Sequence, residues 1–276
     1  MTFFDNIDYD HDFDPFEGLQ DNSEIKENLV FITGGSKGIG LALVNTYLKA
    51  DYEVISFART EIAPMQIIKN INLPNLKQIE VDLMDMSTMP KIIERVLSSE
   101  VMAWTHRKRI VWINNAGTLG EMAALDDISI SNIEETVRLN LTAPLILSKL
   151  FLQYTKDVLA DKKIINISSG AATIPYHGWA VYGSTKAALD MLTKTLALEQ
   201  SAHPFGAKLL GIYPGVVDTG MQSLIREQKE SDFKSLNRFV ELKETDQLYK
   251  PVDVALEILS YDLQDLPSGE IVRVNL

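Results

Sequence analysis

From residue 29 onward, short apolar runs rich in β-branched residues alternate with longer stretches of helical period. The runs at 29–33, 53–58, 77–82, 110–114, 163–168, 207–213 and 270–274 read as strands. Helical patterns fall between them at 40–50, 87–98, 131–158, 181–199 and 252–259. Strand and helix alternating in this way predict an α/β fold with a parallel sheet of about seven strands. The strand cores are almost continuously apolar, as strands covered on both faces must be. No repeat, low-complexity tract or linker divides residues 29–276, so they read as one domain. The longest irregular polar segment, about 222–250, follows a strand and a Pro-Gly turn. In that place it predicts a lid over the ligand crevice.

Charge sets the first 28 residues apart. They hold nine acids and one base, a balance of −8, which leaves −4 of the total −12 for the rest. Phe3, Phe4, Tyr9, Phe13 and Phe16 lie in the same stretch. It reads as an acidic, aromatic tail, either a solubilising extension or an element that docks on a surface. Its charge is wrong for a secretory or organelle-targeting signal, and no apolar run reaches membrane-spanning length. A cytoplasmic protein is the expectation. The overall acidity disfavours nucleic acid and anionic membrane as partners. The absence of cysteine excludes disulfides, thiolate nucleophiles and cysteine-based metal sites. The four histidines do not cluster with acids at ligand spacing, so no catalytic metal is expected.

The first strand runs straight into Thr33-Gly34-Gly35-Ser36-Lys37-Gly38-Ile39-Gly40 and then a helix. Glycines let the backbone approach a pyrophosphate, and the helix start offers free N–H groups. The second strand ends at Ala58-Arg59-Thr60. No acid stands there to repel a 2′-phosphate, Arg59 supplies a fork of donors, and Lys37 adds a second cation. Together they predict NADP(H). After the third strand, Asp82 and Leu83 are placed to bracket the adenine. After the fourth, Asn115-Ala116-Gly117 forms a small-residue edge where a cofactor can pass.

Tyr182 and Lys186 lie i, i+4 on one helix face, and Ser169 ends the fifth strand thirteen residues before the tyrosine. Lys186 is placed to lower the Tyr182 phenol electrostatically, and Ser169 to hold a substrate oxygen. Asn140 precedes Pro144 by four residues. Proline has no N–H, so the Asn140 carbonyl loses its helical partner and the helix is expected to kink, either to free that carbonyl for water or for packing.

The ordered set TGGSKGIG, NNAG, Asn140, Ser169 and YGSTK resembles the short-chain dehydrogenase/reductase family over about residues 28–276. The resemblance implies a doubly wound Rossmann-type fold and a catalytic set of Asn140, Ser169, Tyr182 and Lys186. It implies that Tyr182 and Lys186 also meet the nicotinamide ribose, and that a water held by Asn140 feeds a proton relay through Lys186. It assigns Pro214, Gly215, Val217 and Thr219 to the carboxamide and pyrophosphate of the cofactor. Gly178-Trp179, Ala197-Leu198-Glu199 and the stretch through Met221 are similar to the sepiapterin reductases. "NLTAPLILSKLF" and "NISSGAATIPYHGWAVYGSTKAALDM" are similar to the bacterial (S)-benzoin-forming benzil reductases.

Both groups imply NADPH-dependent reduction of a carbonyl beside another carbonyl, and a homodimer or tetramer paired through the two long helices. Ser169, Trp179, Tyr182 and Met221 are the candidate substrate contacts, although Trp179 equally suits a core. His177 reads as a structural or solvent-facing residue. Sepiapterin reductases carry an acid in the last strand where this chain has Arg273, which cannot accept a pterin's hydrogen bonds. A benzil-like dicarbonyl is therefore the expected substrate. The alternatives are a sepiapterin-type or carrier-linked 3-oxoacyl ketoreductase and, in another class, a non-catalytic NADP(H)-binding regulator.

Overall fold

The computed structural model describes residues 25–67 and 75–276. Residues 1–24 of the acidic tail lie outside the described residues. Glu27 is already part of the domain, its carbonyl accepting from Lys108 N at 2.7 Å.

Seven parallel strands form one sheet in the order β3-β2-β1-β4-β5-β6-β7. They are β1 (Asn28–Thr33), β2 (Glu53–Ala58), β3 (Leu76–Glu80), β4 (Arg109–Asn114), β5 (Asp161–Ile167), β6 (Lys208–Tyr213) and β7 (Glu270–Arg273). The Rossmann-type expectation holds. Strand order reverses between β1 and β4, so a crevice opens at their carboxyl ends. The helices are α1 (Gly38–Lys49), α2 (Met89–Ser99), α3 (Ile130–Val137), α4 (Ala143–Thr155), α5 (Ala180–Gln200), α6 (Gly220–Arg226), α7 (Leu236–Glu244) and α8 (Pro251–Leu263).

Alternate residues of the central strands face two cores. Leu29, Phe31, Ile110 and Trp112 pack with α2 and α4. Val30, Ile32, Val111 and Ile113 pack with α1 and α8. A buried polar ladder ties the sheet to α5. Trp112 Nε1 donates to Asn114 Oδ1 at 2.9 Å, Asn114 Nδ2 to Asn166 Oδ1 at 2.8 Å, and Asn166 Nδ2 to Thr193 Oγ1 at 2.8 Å. Such satisfied groups fix α5 in register on β4 and β5.

Two expectations are corrected. The helix expected at 131–158 is broken into α3, a π turn over Arg138–Thr142, and α4, which ends at Thr155. Within the turn Ala143 N reaches back five residues to Arg138 O. Pro144 has no N–H to continue the ordinary ladder, so the wider turn takes up the mismatch. The segment at 222–250 is only partly irregular. It contains α7 and most of α6, whose apolar residues are masked in the sequence by surrounding charge. Among the described residues, no helix is long and apolar enough to cross a membrane.

Candidate active site

The glycine loop links β1 to α1 at the crevice. Gly34 and Gly38 adopt φ of +69° and +56°, where a side chain would be strained. A Cβ at Gly38 would lie 3.3 Å from Thr219 Cγ2, so the segment after β6 crosses over this loop. The first turn of α1 carries no acid. Ser36 Oγ accepts from Thr60 Oγ1 at 3.3 Å, which joins the loop to the end of β2. Lys37, Arg59 and Thr60 are exposed there, and among the described residues neither cation has an ion-pair partner. This donor set and the open glycine backbone fit the phosphates of an adenine dinucleotide.

Thr33 Oγ1 accepts from Asn115 N at 2.9 Å and Ala116 N at 3.0 Å, and Asn115 Nδ2 donates to Thr33 O at 2.9 Å. The Asn115 side chain thus locks the ends of β1 and β4 together. Asp82 is exposed, and its Oδ1 accepts from Met84 N at 2.9 Å. The Leu83 side chain is buried in the α2–α4 core. Pro214 and Gly215 leave β6, and Val217 bridges to Tyr249.

Ser169, Asn140 and the α5 pair Tyr182 and Lys186 come from three separate segments and meet at the carboxyl edge. Asn140, 1% exposed, accepts from Thr118 N at 2.8 Å, donates to Thr118 O at 2.8 Å, and reaches Thr185 Oγ1 on α5 at 3.2 Å. A Cβ at Gly117 would lie 3.2 Å from Asn140 Oδ1 and 3.6 Å from Lys186 Nζ. Only glycine leaves that space open. Lys186 Nζ donates to Ile167 O at 2.8 Å and sits 5.8 Å from the centre of the Tyr182 ring. Ser169 follows Ser168 at the end of β5, and its Oγ accepts from Ala171 N at 3.2 Å.

Burial governs both titratable groups. It holds the Tyr182 phenol above its ordinary value, opposed by the Ser169 hydroxyl. It pushes Lys186 down to about 8, opposed by Asp190. Desolvation, and not Lys186, sets the Tyr182 phenol in this structure, and the phenol keeps its proton.

An apolar shell closes over Tyr182. Trp179 meets its ring edge-on at 5.3 Å and stacks on Phe233 at 4.8 Å, with Phe239 at 5.6 Å. Ile225 and Met221 belong to the same cluster. Trp179 thus packs chiefly against the segment that carries Phe233 and Phe239. His177 is exposed, and its Nδ1 lies 3.3 Å from the Asp232 carbonyl, between α6 and α7. Sequence reasoning missed Phe233 and Phe239. Phe233, Leu236 and Phe239 recur every three residues, a helical signal hidden among lysines and glutamates. Replacing the fully buried Phe233 by alanine is expected to lower stability by about 3–5 kcal/mol, read by chemical denaturation.

The sequence model of the short chain dehydrogenase family matches residues 28–230. The chain belongs to this family. Within it, the chain is 36% identical over 247 residues to a benzil reductase ((S)-benzoin forming) of Bacillus cereus, covering 89% of this chain and 98% of that one. It is 32% identical over 215 residues to the sepiapterin reductase of Mus musculus, covering 74% and 80%. The crystal structure of the KRED1-Pglu enzyme superposes with a TM-score of 0.76 at 29% identity, covering 89% of this chain and all of that one. As a short-chain dehydrogenase the protein is an oxidoreductase, and its crevice is suited to a nicotinamide cofactor.

Proposed function

We propose that the protein is an NADPH-dependent carbonyl reductase that converts one ketone of an aromatic 1,2-dicarbonyl compound to a hydroxy ketone. The observation that carries this reading is the aromatic shell of Trp179, Phe233 and Phe239 closing over a protonated Tyr182 beside Ser169 and Lys186. The Bacillus relative named as a benzil reductase supports it.

NADPH, when bound, supplies the hydride that the carbonyl carbon accepts. Gly34, Ser36, Lys37, Gly38, Ile39 and Gly40 would hold its pyrophosphate and Arg59 with Thr60 its 2′-phosphate. Asp82, Asn115, Ala116, Gly117, Pro214, Gly215, Val217 and Thr219 would line the rest. Ser169 donates a hydrogen bond to the carbonyl oxygen, and Tyr182 Oη transfers its proton there as charge develops. Lys186, buried and cationic, then steadies the tyrosinate. Asn140 holds the Thr118 main chain and α5 at the spacing this needs. The lid excludes water from the reacting centre.

The same reading pairs two copies through α4 and α5, where Leu145, Met191 and Leu198 are exposed. Arg273 is exposed at the end of β7, its guanidinium 5.4 Å from the centre of the Tyr213 ring, and supplies no acceptor for a pterin. Benzil and 1-phenyl-1,2-propanedione are therefore expected to be reduced at least about tenfold more efficiently than sepiapterin. NADPH consumption with each compound, against an NADH control, checks this. Preferred turnover of sepiapterin would overturn the dicarbonyl assignment, and NADPH binding without turnover of any carbonyl would favour a regulator.

A further inference from the structure

α5 buries a third polar group in line with Tyr182 and Lys186. Asp190 lies one turn beyond the lysine and two beyond the tyrosine, on the same side of the helix. It is 6% exposed. Its Oδ2 accepts from the Tyr213 hydroxyl at the end of β6, while its Oδ1 has no hydrogen-bond partner among the described residues. A buried carboxylate with one oxygen unpaired is costly unless a positive charge stands near it.

The charges around this pair are few. On α5 they are Tyr182, Lys186 and, one turn further, the exposed Lys194. β6 contributes Tyr213, and β7 contributes Arg273 above the Tyr213 ring. The groups facing Lys186 from the π turn and the end of β5, Asn140 and the Ile167 carbonyl, are neutral. Among the described residues Lys186 makes no ion pair within contact distance. Asp190 is the negative charge that acts on it, and it acts against desolvation.

We propose that Asp190, oriented by Tyr213, is a positioning residue that keeps Lys186 in its ammonium form beside Tyr182 and thereby sets the upper pH limit of carbonyl reduction. This rests on the role given to Lys186 above. The sign follows from burial. Lys186 loses its proton as pH rises through about 8, and removing the Asp190 charge lowers that midpoint further. The alkaline limb of kcat/KM must then move to lower pH.

The test compares wild type with Asp190→Asn, whose amide oxygen can still accept from Tyr213, and with Asp190→Glu, which keeps the charge. Asp190→Ser serves if Asp190→Asn does not fold. In Asp190→Asn the alkaline limb for a dicarbonyl is expected to fall by about one pH unit, so activity drops about tenfold just above the wild-type limb and little at lower pH. Asp190→Glu is expected to restore the limb. A purely structural role would lower activity equally at every pH.

A second readout is independent of turnover. With lysine labelled at the ε-carbon, NMR titration of the signal lost in Lys186→Arg reports the ammonium directly. Its midpoint is expected to fall in Asp190→Asn. An unchanged midpoint overturns the coupling between Asp190 and Lys186. A lowered midpoint with an unmoved kinetic limb overturns the link to reduction and, separately, the role assigned to Lys186.

Discussion

Tyr182→Phe is expected to reduce carbonyl turnover by about 10²- to 10⁴-fold while leaving NADPH binding nearly intact. The substitution removes one oxygen from a ring that is 7% exposed and packed edge-on against Trp179. The ring keeps its place, so the fold and the apolar shell should survive. What is lost is the acidic proton nearest the carbonyl oxygen. In the resting protein that proton is secure, because burial holds the phenol above its ordinary value. A neutral phenol donates only when negative charge develops on the substrate oxygen, and the adjacent Lys186 ammonium then stabilises the phenolate left behind. The measurement is single-turnover oxidation of NADPH with benzil, alongside cofactor titration by fluorescence. Loss of turnover with binding retained supports the assignment. Turnover within a few fold of wild type would mean another group, or water, protonates the oxygen, and would remove Tyr182 from the mechanism.

The second large effect concerns the cofactor. Arg59→Asp is expected to raise the KM for NADPH by about 10- to 100-fold and to leave that for NADH little changed. Arg59 stands at the carboxyl end of β2, exposed and without an ion-pair partner among the described residues, next to Thr60 and across from Ser36 and Lys37. A guanidinium so placed is free to fork onto a 2′-phosphate. An aspartate there would instead repel the phosphate and accept from ribose hydroxyls. Because the site is open to solvent, salt should screen it, and the wild-type preference for NADPH should narrow as ionic strength rises. Lys37→Ala is expected to show a smaller effect of the same sign. Equal use of NADPH and NADH by wild type would overturn both assignments.

The succession of strands and helices along the chain and the glycine-rich turn between the first strand and helix were legible in the sequence, because both depend on local pattern. Period-two and period-3.6 apolar runs mark elements that must be covered on known faces. A glycine-rich turn between a strand and a helix has few other uses. The pairing of Tyr182 with Lys186 was equally legible, since four residues on one helix fix their common side. Pro144 announced a break in its helix for the same local reason, although its form, a π turn, was not readable.

What only the tertiary structure decided are the properties that depend on solvent exclusion and on contacts between distant segments. The protonation of Tyr182 and Lys186 is set by desolvation, which no spacing in the sequence reports. That the Leu83 side chain is core and the Asn115 side chain fastens two strands likewise depends on segments far apart in the chain. The segment at 222–250 is partly helical because Phe233 and Phe239 have Trp179 to bury against, 54 and 60 residues away in the chain. Asp190 looks like any acid on a helix until β6 brings Tyr213 to it. Local sequence determines which elements form and which residues can share a face. Only their packing determines which of those residues lose water, and here the loss of water sets the chemistry.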